Sequence, residues 1–179
     1  DHILAICKDG TYYTTSFDLS NRYQGELLKI EKLDVNKVYT ALYYDKSVTS
    51  FYVKRFSFDV SDNTPVSFIS DSKGSYLVEI SDDLHPQFEI TFGGKNINRD
   101  PESVDAEEFI AKKGLQAKGK RVSALDVKAV KFIEPLHKPE DDIVSEASEA
   151  QNLAGDIDNS DVEDPIDITL DEDTQLTLF

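Results

Sequence analysis

Residues 3–17 read ILAICKDGTYYTTSF, and they decide the architecture. Apolar side chains run through Ile3-Leu4-Ala5-Ile6-Cys7, Lys8-Asp9-Gly10 interrupts them, and Thr11-Tyr12-Tyr13-Thr14-Thr15 resumes an extended pattern. Asp-Gly between two strand-like runs predicts a β-hairpin, because a type I′ turn needs positive φ at both central residues. The unit recurs as FISDSKGSYLVEI at 68–80, with Lys73-Gly74 at its turn. Looser versions are TALYYDKSVTSFYVKRF at 40–56 and FIAKKGLQAKGKRV at 109–122. The turn centres fall roughly 30 to 40 residues apart, close to the ~40–50 residues of a propeller blade. β-Branched and aromatic residues dominate, and no long segment has a 3.6-residue apolar period. The expected fold class is all-β, built from repeated hairpins.

Between these units the chain reads more loosely. Residues 18–37 combine a polar loop with an apolar patch, Leu27-Leu28-Lys29-Ile30. Residues 38–44 and 50–58 form the next strand pair. In its second strand, alternation turns Tyr52, Phe56 and Phe58 toward a core, carries Lys54 with them and shows Arg55 on the other face. Residues 67–71 and 75–81 make a third pair, and 87–92 is a strand ended by Gly93-Gly94. Residues 105–112 fit either a short helix or the opening strand of another hairpin. Residues 122–133 supply a final strand or pair, closed by Pro135 and Pro139. About 135 residues hold roughly three blade-sized units, an incomplete ring whose open sheet edges need protection.

Charge divides the chain in two. All 19 Lys and Arg lie in residues 1–139, against 21 acidic residues there, whereas residues 140–179 hold 14 acidic residues and no Lys or Arg. The net charge of −16 therefore belongs to the C-terminal part, and the first part is close to neutral. Residues 1–139 are read as the β domain and 140–179 as an acidic tail. Residues 141–173 are expected to be disordered, since isolated Ile and Val cannot bury enough apolar surface to offset ordering entropy.

Cys7 is the single cysteine, which leaves no disulfide framework or cysteine metal site; mid-strand, it reads as a small buried hydrophobe. No signal peptide and no apolar run near ~18 residues is present, so no membrane partner is expected and the location expected is cytoplasmic. The lack of methionine and the opening directly on a strand suit a segment of a longer protein. His2, His85 and His137 have no ligand spacing, and there is no nucleophile elbow or phosphate loop. Asp156, Asp158, Ser160 and Asp167 only loosely imitate a calcium loop, with Asp161 where glycine is required. An enzyme, or a cofactor held on this chain, is not expected.

The candidate polyanion site is KKGLQAKGKR at 112–121. Lys112, Lys113, Lys118, Lys120 and Arg121 place five positive charges in ten residues without an acidic one. Glycines let backbone approach a phosphate, and Lys and Arg neutralise it. The bland alternative is a solvated, Lys-rich loop. Lys54-Arg55 is a weaker candidate, because adjacent strand residues point to opposite faces.

Taken in order, ILAICKDGTYYTTSF, SFYVKRFSF, FISDSKGSYLVEI and KKGLQAKGKRV resemble the C-terminal domain of the A subunit of bacterial type IIA topoisomerases. In particular they are similar to the shortened form in topoisomerase IV A subunits of Bacteroidetes-type bacteria. Members of that family carry hairpins of the form I-x-x-x-T-K-x-G and a basic K-G-x-x-x-K-G-x-R segment, which matches Lys113 to Arg121. The resemblance covers about residues 3–136. It implies a β-pinwheel, a propeller-like fold with strands exchanged between blades, whose basic rim binds and bends duplex DNA. Lys113, Lys118, Lys120 and Arg121 would then be phosphate contacts, with Lys54 and Arg55 as further candidates. It also implies an upstream breakage core and a B subunit as partners, with Mg2+ and ATP bound through those other parts. The gyrase-type box QRRGGKG is absent, which argues against strong chiral wrapping.

The last five residues, QLTLF, form a second constellation. They resemble the short peptide by which bacterial replication and repair proteins dock on the sliding clamp. Gln175 supplies an amide, and Leu176, Leu178 and Phe179 supply apolar anchors on an otherwise polar tail. Two function classes follow: a DNA-binding domain that steers duplex to a strand-passage core, and a protein-interaction module tethered to the clamp.

Overall fold

The computed structural model describes Asp1–Lys138; the acidic tail and its expected disorder lie outside the described residues. The opening hairpin forms as read, with β1 (Ile3–Cys7) antiparallel to β2 (Thr11–Thr15) and Ile6 opposite Tyr12. Its turn is not type I′. Gly10 has φ of 83° but Lys8 and Asp9 do not share it, and the Gly10 N–H donates to the Cys7 carbonyl at 3.2 Å. The loop is thus a type I turn closed by a left-handed glycine. Asp9 Oδ1 secures it by accepting from the Thr11 N–H at 2.9 Å and the Thr11 hydroxyl at 2.7 Å.

The apolar patch after the first hairpin is a full strand, β3 (Leu27–Lys32), paired along β1. The next hairpin, β4 (Tyr39–Asp45) with β5 (Ser50–Phe56), also matches the reading. Two other expected hairpins do not form. The stretch around 68–80 runs between two sheets: β6 (Val66–Ser67) pairs with β2, whereas β7 (Tyr76–Ser81) pairs with β4. The stretch at 109–122 leaves a single helical turn, α1 (Ala106–Phe109), and after an irregular segment ends in β10 (Lys120–Arg121), which pairs with β5. The third sheet holds β8 (Gln87–Phe92), β9 (Glu102–Asp105) and β11 (Val127–Ile133) in the order β11-β8-β9.

The first two sheets share one topology, β3-β1-β2-β6 and β10-β5-β4-β7. In each, a hairpin receives at one edge a two-residue strand that the chain supplies only after building the following hairpin. This exchange makes the molecule a small all-β pinwheel. It also closes part of the edge that β2 and β5 would otherwise expose.

The second sheet lies between two cores. Leu42, Phe51 and Val53 on one face pack with Phe88, Ile90, Phe92 and Val130 of the third sheet. Tyr39, Ala41 and Phe56 on the other pack with Leu4, Ile6 and Tyr12 of the first, together with Phe58 and Phe68. Phe58 sits among Tyr12, Tyr39, Phe56 and Phe68, with ring centroids 4.6 to 5.3 Å away. Cys7 is buried beside Ala5 and Tyr13, as its mid-strand position suggests. No helix among the described residues is long and apolar enough to cross a membrane.

Ion pairs close both seams. Near the first, Asp82 beyond β7 accepts from Lys29 of β3 at 2.5 Å and also pairs with Lys37, which reaches Glu31 at 2.8 Å. Near the second, Glu107 takes Lys138 at 2.8 Å and His85 Nδ1 at 2.6 Å, with Arg55 of β5 at 3.6 Å. Lys138, then His85, hold the Glu107 carboxyl down to about 2, against the partial desolvation that would raise it. Burial would raise Asp82 too, but Lys29 and Lys37 outweigh it and bring the carboxyl to about 2.

Two outcomes follow from this framework. Gly119, just before β10, has φ of +90°, and a Cβ there would lie 2.3 Å from the Val53 carbonyl, whereas nothing lies within 4 Å of one on Gly114. Gly119→Ala should therefore lower stability by at least about 2 kcal/mol in urea titration, with Gly114→Ala near neutral. The carboxyls lowered by folding stabilise the native state above their unfolded pKa values and lose that contribution as pH falls toward their folded values. The stability of the wild type should thus drop between about pH 4.5 and pH 2. Glu107→Gln should show a shallower drop over that window when melting temperature is followed against pH.

Candidate nucleic-acid interface

The segment 110–122 carries the basic cluster, and three apolar side chains decide which way it faces. Ile110 and Val122 insert into the core between the second and third sheets, and Leu115 inserts into the core between the first and second. Backbone bonds fix the path between them: the Ile110 N–H caps α1 on the Ala106 carbonyl at 3.0 Å, and the Lys113 N–H meets the Arg55 carbonyl at 2.8 Å. A turn follows, with the Ala117 N–H on the Gly114 carbonyl at 3.0 Å. Lys120 then pairs opposite Val53 and Arg121 opposite Tyr52, and the Val122 N–H meets the Phe51 carbonyl at 3.0 Å. With the apolar residues buried, Lys112, Lys113, Lys118, Lys120 and Arg121 are all left exposed.

Their electrostatic situations differ. Lys112, Lys113 and Arg121 form no ion pair among the described residues, so their charge is available to a ligand. Lys120 Nζ lies 4.0 Å from the centroid of the Phe109 ring and donates to the Phe109 carbonyl at 3.2 Å, contacts that leave its charge uncompensated. Lys118 is held: its Nζ pairs with Asp45 at 3.0 Å and sits 4.7 Å over the Tyr52 ring. Burial would raise the Asp45 carboxyl, but hydrogen bonds from Ser47 and Lys118 outweigh it and pull it well below the carboxylate range. Lys118 is correspondingly raised, first by its hydrogen bond to Asp45.

Lys54 and Arg55 are placed differently from surface contacts. Alternation put Lys54 on the core-facing side, and it is there, 3 % exposed, with Nζ donating to the Phe68 carbonyl at 2.7 Å and the Leu115 carbonyl at 2.6 Å. Arg55 points the other way, yet it too is mostly covered, its side chain 11 % exposed beside Glu107. The physical reason is that β5 is a central strand packed on both faces, so neither face of it is a rim. Burial lowers Lys54 from the ordinary lysine value to about 8.

The tertiary structure adds two cations that the sequence reading passed over. Lys46 lies in the β4–β5 turn beside Asp45, and Lys73 lies in the turn that the Ser75 hydroxyl ties to it by accepting from the Lys46 N–H at 2.9 Å. Both are exposed and form no ion pair among the described residues. Arg121 reaches the same end of the second sheet, beside Thr49. The signal for them was the hairpin turn itself, which the exchanged strand brings next to residues some 70 positions away in sequence, as the Tyr43 hydroxyl bonding the Lys118 carbonyl records. Among the described residues no three His, Cys, Asp or Glu side chains converge as a metal site. Gln175, Leu176, Leu178 and Phe179 lie outside the described residues.

The buried ammonium has a measurable consequence. Lys54 binds a proton less tightly folded, near 8, than its ordinary 10.5, so wild-type stability should rise with pH between these values. Lys54→Met removes that group. The stability difference between variant and wild type, from urea titrations at pH 7.5 and pH 9.5, should shift in favour of the wild type at the higher pH.

Searches of curated proteins and of solved structures return no match. A family model does match: topoisomerase C-terminal domain, Bacteroidota, over residues 1–134. That span includes every strand of the three sheets and the whole exposed basic segment. The chain therefore belongs to the Bacteroidota topoisomerase C-terminal domain family.

Proposed function

We propose that this domain is the non-catalytic DNA-binding module of a topoisomerase IV A subunit, and that it steers duplex DNA to a strand-passage core on other domains. The observation that carries the reading is the exposed basic segment 112–121, anchored to the cores by Ile110, Leu115 and Val122 and ending in the exchanged strand. The Lys113 N–H bond to Arg55 and the β10 ladder fix the two ends of the segment, and among the described residues Lys112, Lys113 and Arg121 need break no ion pair to meet phosphates. Such contacts neutralise backbone charge and position a duplex without reading base edges. Binding of this kind is sequence-tolerant, which suits a domain that handles whatever segment is to be passed.

Charge elsewhere sets the strength. Residues 1–139 are near neutral overall, so long-range attraction is weak and the local cluster has to supply the affinity. The breakage chemistry, Mg2+ and ATP are assigned to the upstream core and the B subunit.

Fluorescence anisotropy of a labelled duplex with the full chain, across a salt series, tests the reading. Replacing Lys112, Lys113 and Arg121 together by Ala should weaken binding equally for unrelated sequences. It should also reduce the slope of log K against log salt by about 2 to 3, from ~0.9 per phosphate contact. Lys118→Ala should do less, because that ammonium is already engaged by Asp45. An unchanged slope in the triple variant would overturn the assignment of the rim.

A further inference from the structure

A second feature of the same region is a pocket of about 270 Å³, lined among others by Asp45, Ser47, Lys54, Ser70, Gln116 and Lys118. Its charges do not balance. One carboxylate and two ammonium groups line it, and the carboxylate is already committed. Asp45 Oδ1 accepts from the Ser47 N–H at 2.9 Å and the Ser47 hydroxyl at 2.6 Å, and Oδ2 faces Lys118.

Among the described residues Lys54 has no carboxylate partner. A primary ammonium carries three donors, and the two carbonyls of Phe68 and Leu115 take two of them. The Phe56 ring, 4.8 Å from Nζ, adds only a cation–π contact. A buried cation held by neutral groups alone is costly, and an anion within reach removes much of that cost. The pocket wall supplies further donors in the Gln116 amide and the remaining N–H groups of Lys118. The Ser70 hydroxyl also lines it but donates to Ser72 Oγ at 3.2 Å, so it reaches an anion only by turning from Ser72. An amide and two ammonium groups around a space of this size, with one hydroxyl able to turn toward it, form a donor set suited to a tetrahedral oxyanion.

We propose that this pocket is a phosphate-binding subsite, with Lys54 as its buried counter-charge, Lys118 and Gln116 as the groups that close on the oxyanion, and the Ser70 hydroxyl turning from Ser72 to join them. It goes beyond the DNA reading and does not require it, since the phosphate is either a backbone group of a duplex or a free phosphate. The bound anion would supply a negative charge that, among the described residues, the fold does not place beside the Lys54 ammonium.

The test uses the full chain and inorganic phosphate. Melting temperature is followed against phosphate concentration, with chloride at matched ionic strength as the reference, and 31P line broadening reports binding directly. The wild type should show a saturable rise in melting temperature. Lys54→Met, which keeps an unbranched side chain and removes the charge, should bind phosphate about tenfold more weakly or not at all. Should Lys54→Met fail to fold, the double change of half-buried Ser70→Ala with exposed Gln116→Ala supplies the same readout, with several-fold weaker phosphate binding expected.

No saturable effect in the wild type, or an unaltered one in both variants, would overturn the subsite. Saturating phosphate that weakens duplex binding in the wild type but not in Lys54→Met identifies the occupant as a backbone phosphate. Phosphate binding that leaves duplex affinity alone identifies it as free phosphate. Because the salt slope of the Lys112, Lys113 and Arg121 variant is measured without phosphate, failure of the subsite and failure of the DNA reading remain separate results.

Discussion

Two residues of main chain hold much of this molecule's functional geometry. Lys120 and Arg121 pair with Val53 and Tyr52 along the edge of β5, and that short ladder forms only if the chain passes the Val53 carbonyl at glycine distance. Gly119 meets the requirement: it lacks a Cβ and accepts the left-handed backbone that turns the chain onto the edge. Once the strand is seated, three consequences follow together. Val122 enters the core between the second and third sheets, the edge of β5 is no longer free, and the basic side chains face outward. Structure and candidate function share one constraint.

The same device appears at the first sheet, where Val66 and Ser67 add to β2. Each sheet depends on a strand that arrives only after its neighbour has been built, so neither of the first two sheets is complete alone. Contacts of long sequence separation are slow to form, because the chain entropy of the intervening loop is lost before the contact stabilises anything. The aromatic cluster around Phe58 and the ion pairs at each seam supply the compensating packing and charge.

Charge in this domain is segregated by partner. The seam acids Glu107 and Asp82 are matched to cations within the fold, and Asp45 holds Lys118. Among the described residues Lys112, Lys113 and Arg121 are left without ion pairs, and Lys54 is buried without a carboxylate partner. A near-neutral domain can in this way offer a concentrated basic face, since pairing removes cations such as Lys29, Lys37 and Lys138 from the outward field. The unmatched groups are where a ligand's charge is worth most, exposed at the rim and desolvated in the pocket.

The sequence by itself determined the class of fold and its central hairpins. Residues 3–17 and 40–56 became β1–β2 and β4–β5 because alternation and turn chemistry are local, and the basic segment was legible as a run of charge. Lys54 was legible as core-facing from its place among Tyr52, Phe56 and Phe58. Only the tertiary structure decided that 66–81 and 109–122 are exchange segments rather than hairpins, because a two-residue strand is too short to show a period and its partner lies far along the chain. Only packing could show that β5 is covered on both faces, which draws Arg55 inward as well as Lys54. Strand pairing across sheets is set by which edges remain open once the cores have closed, and no window of sequence contains that information.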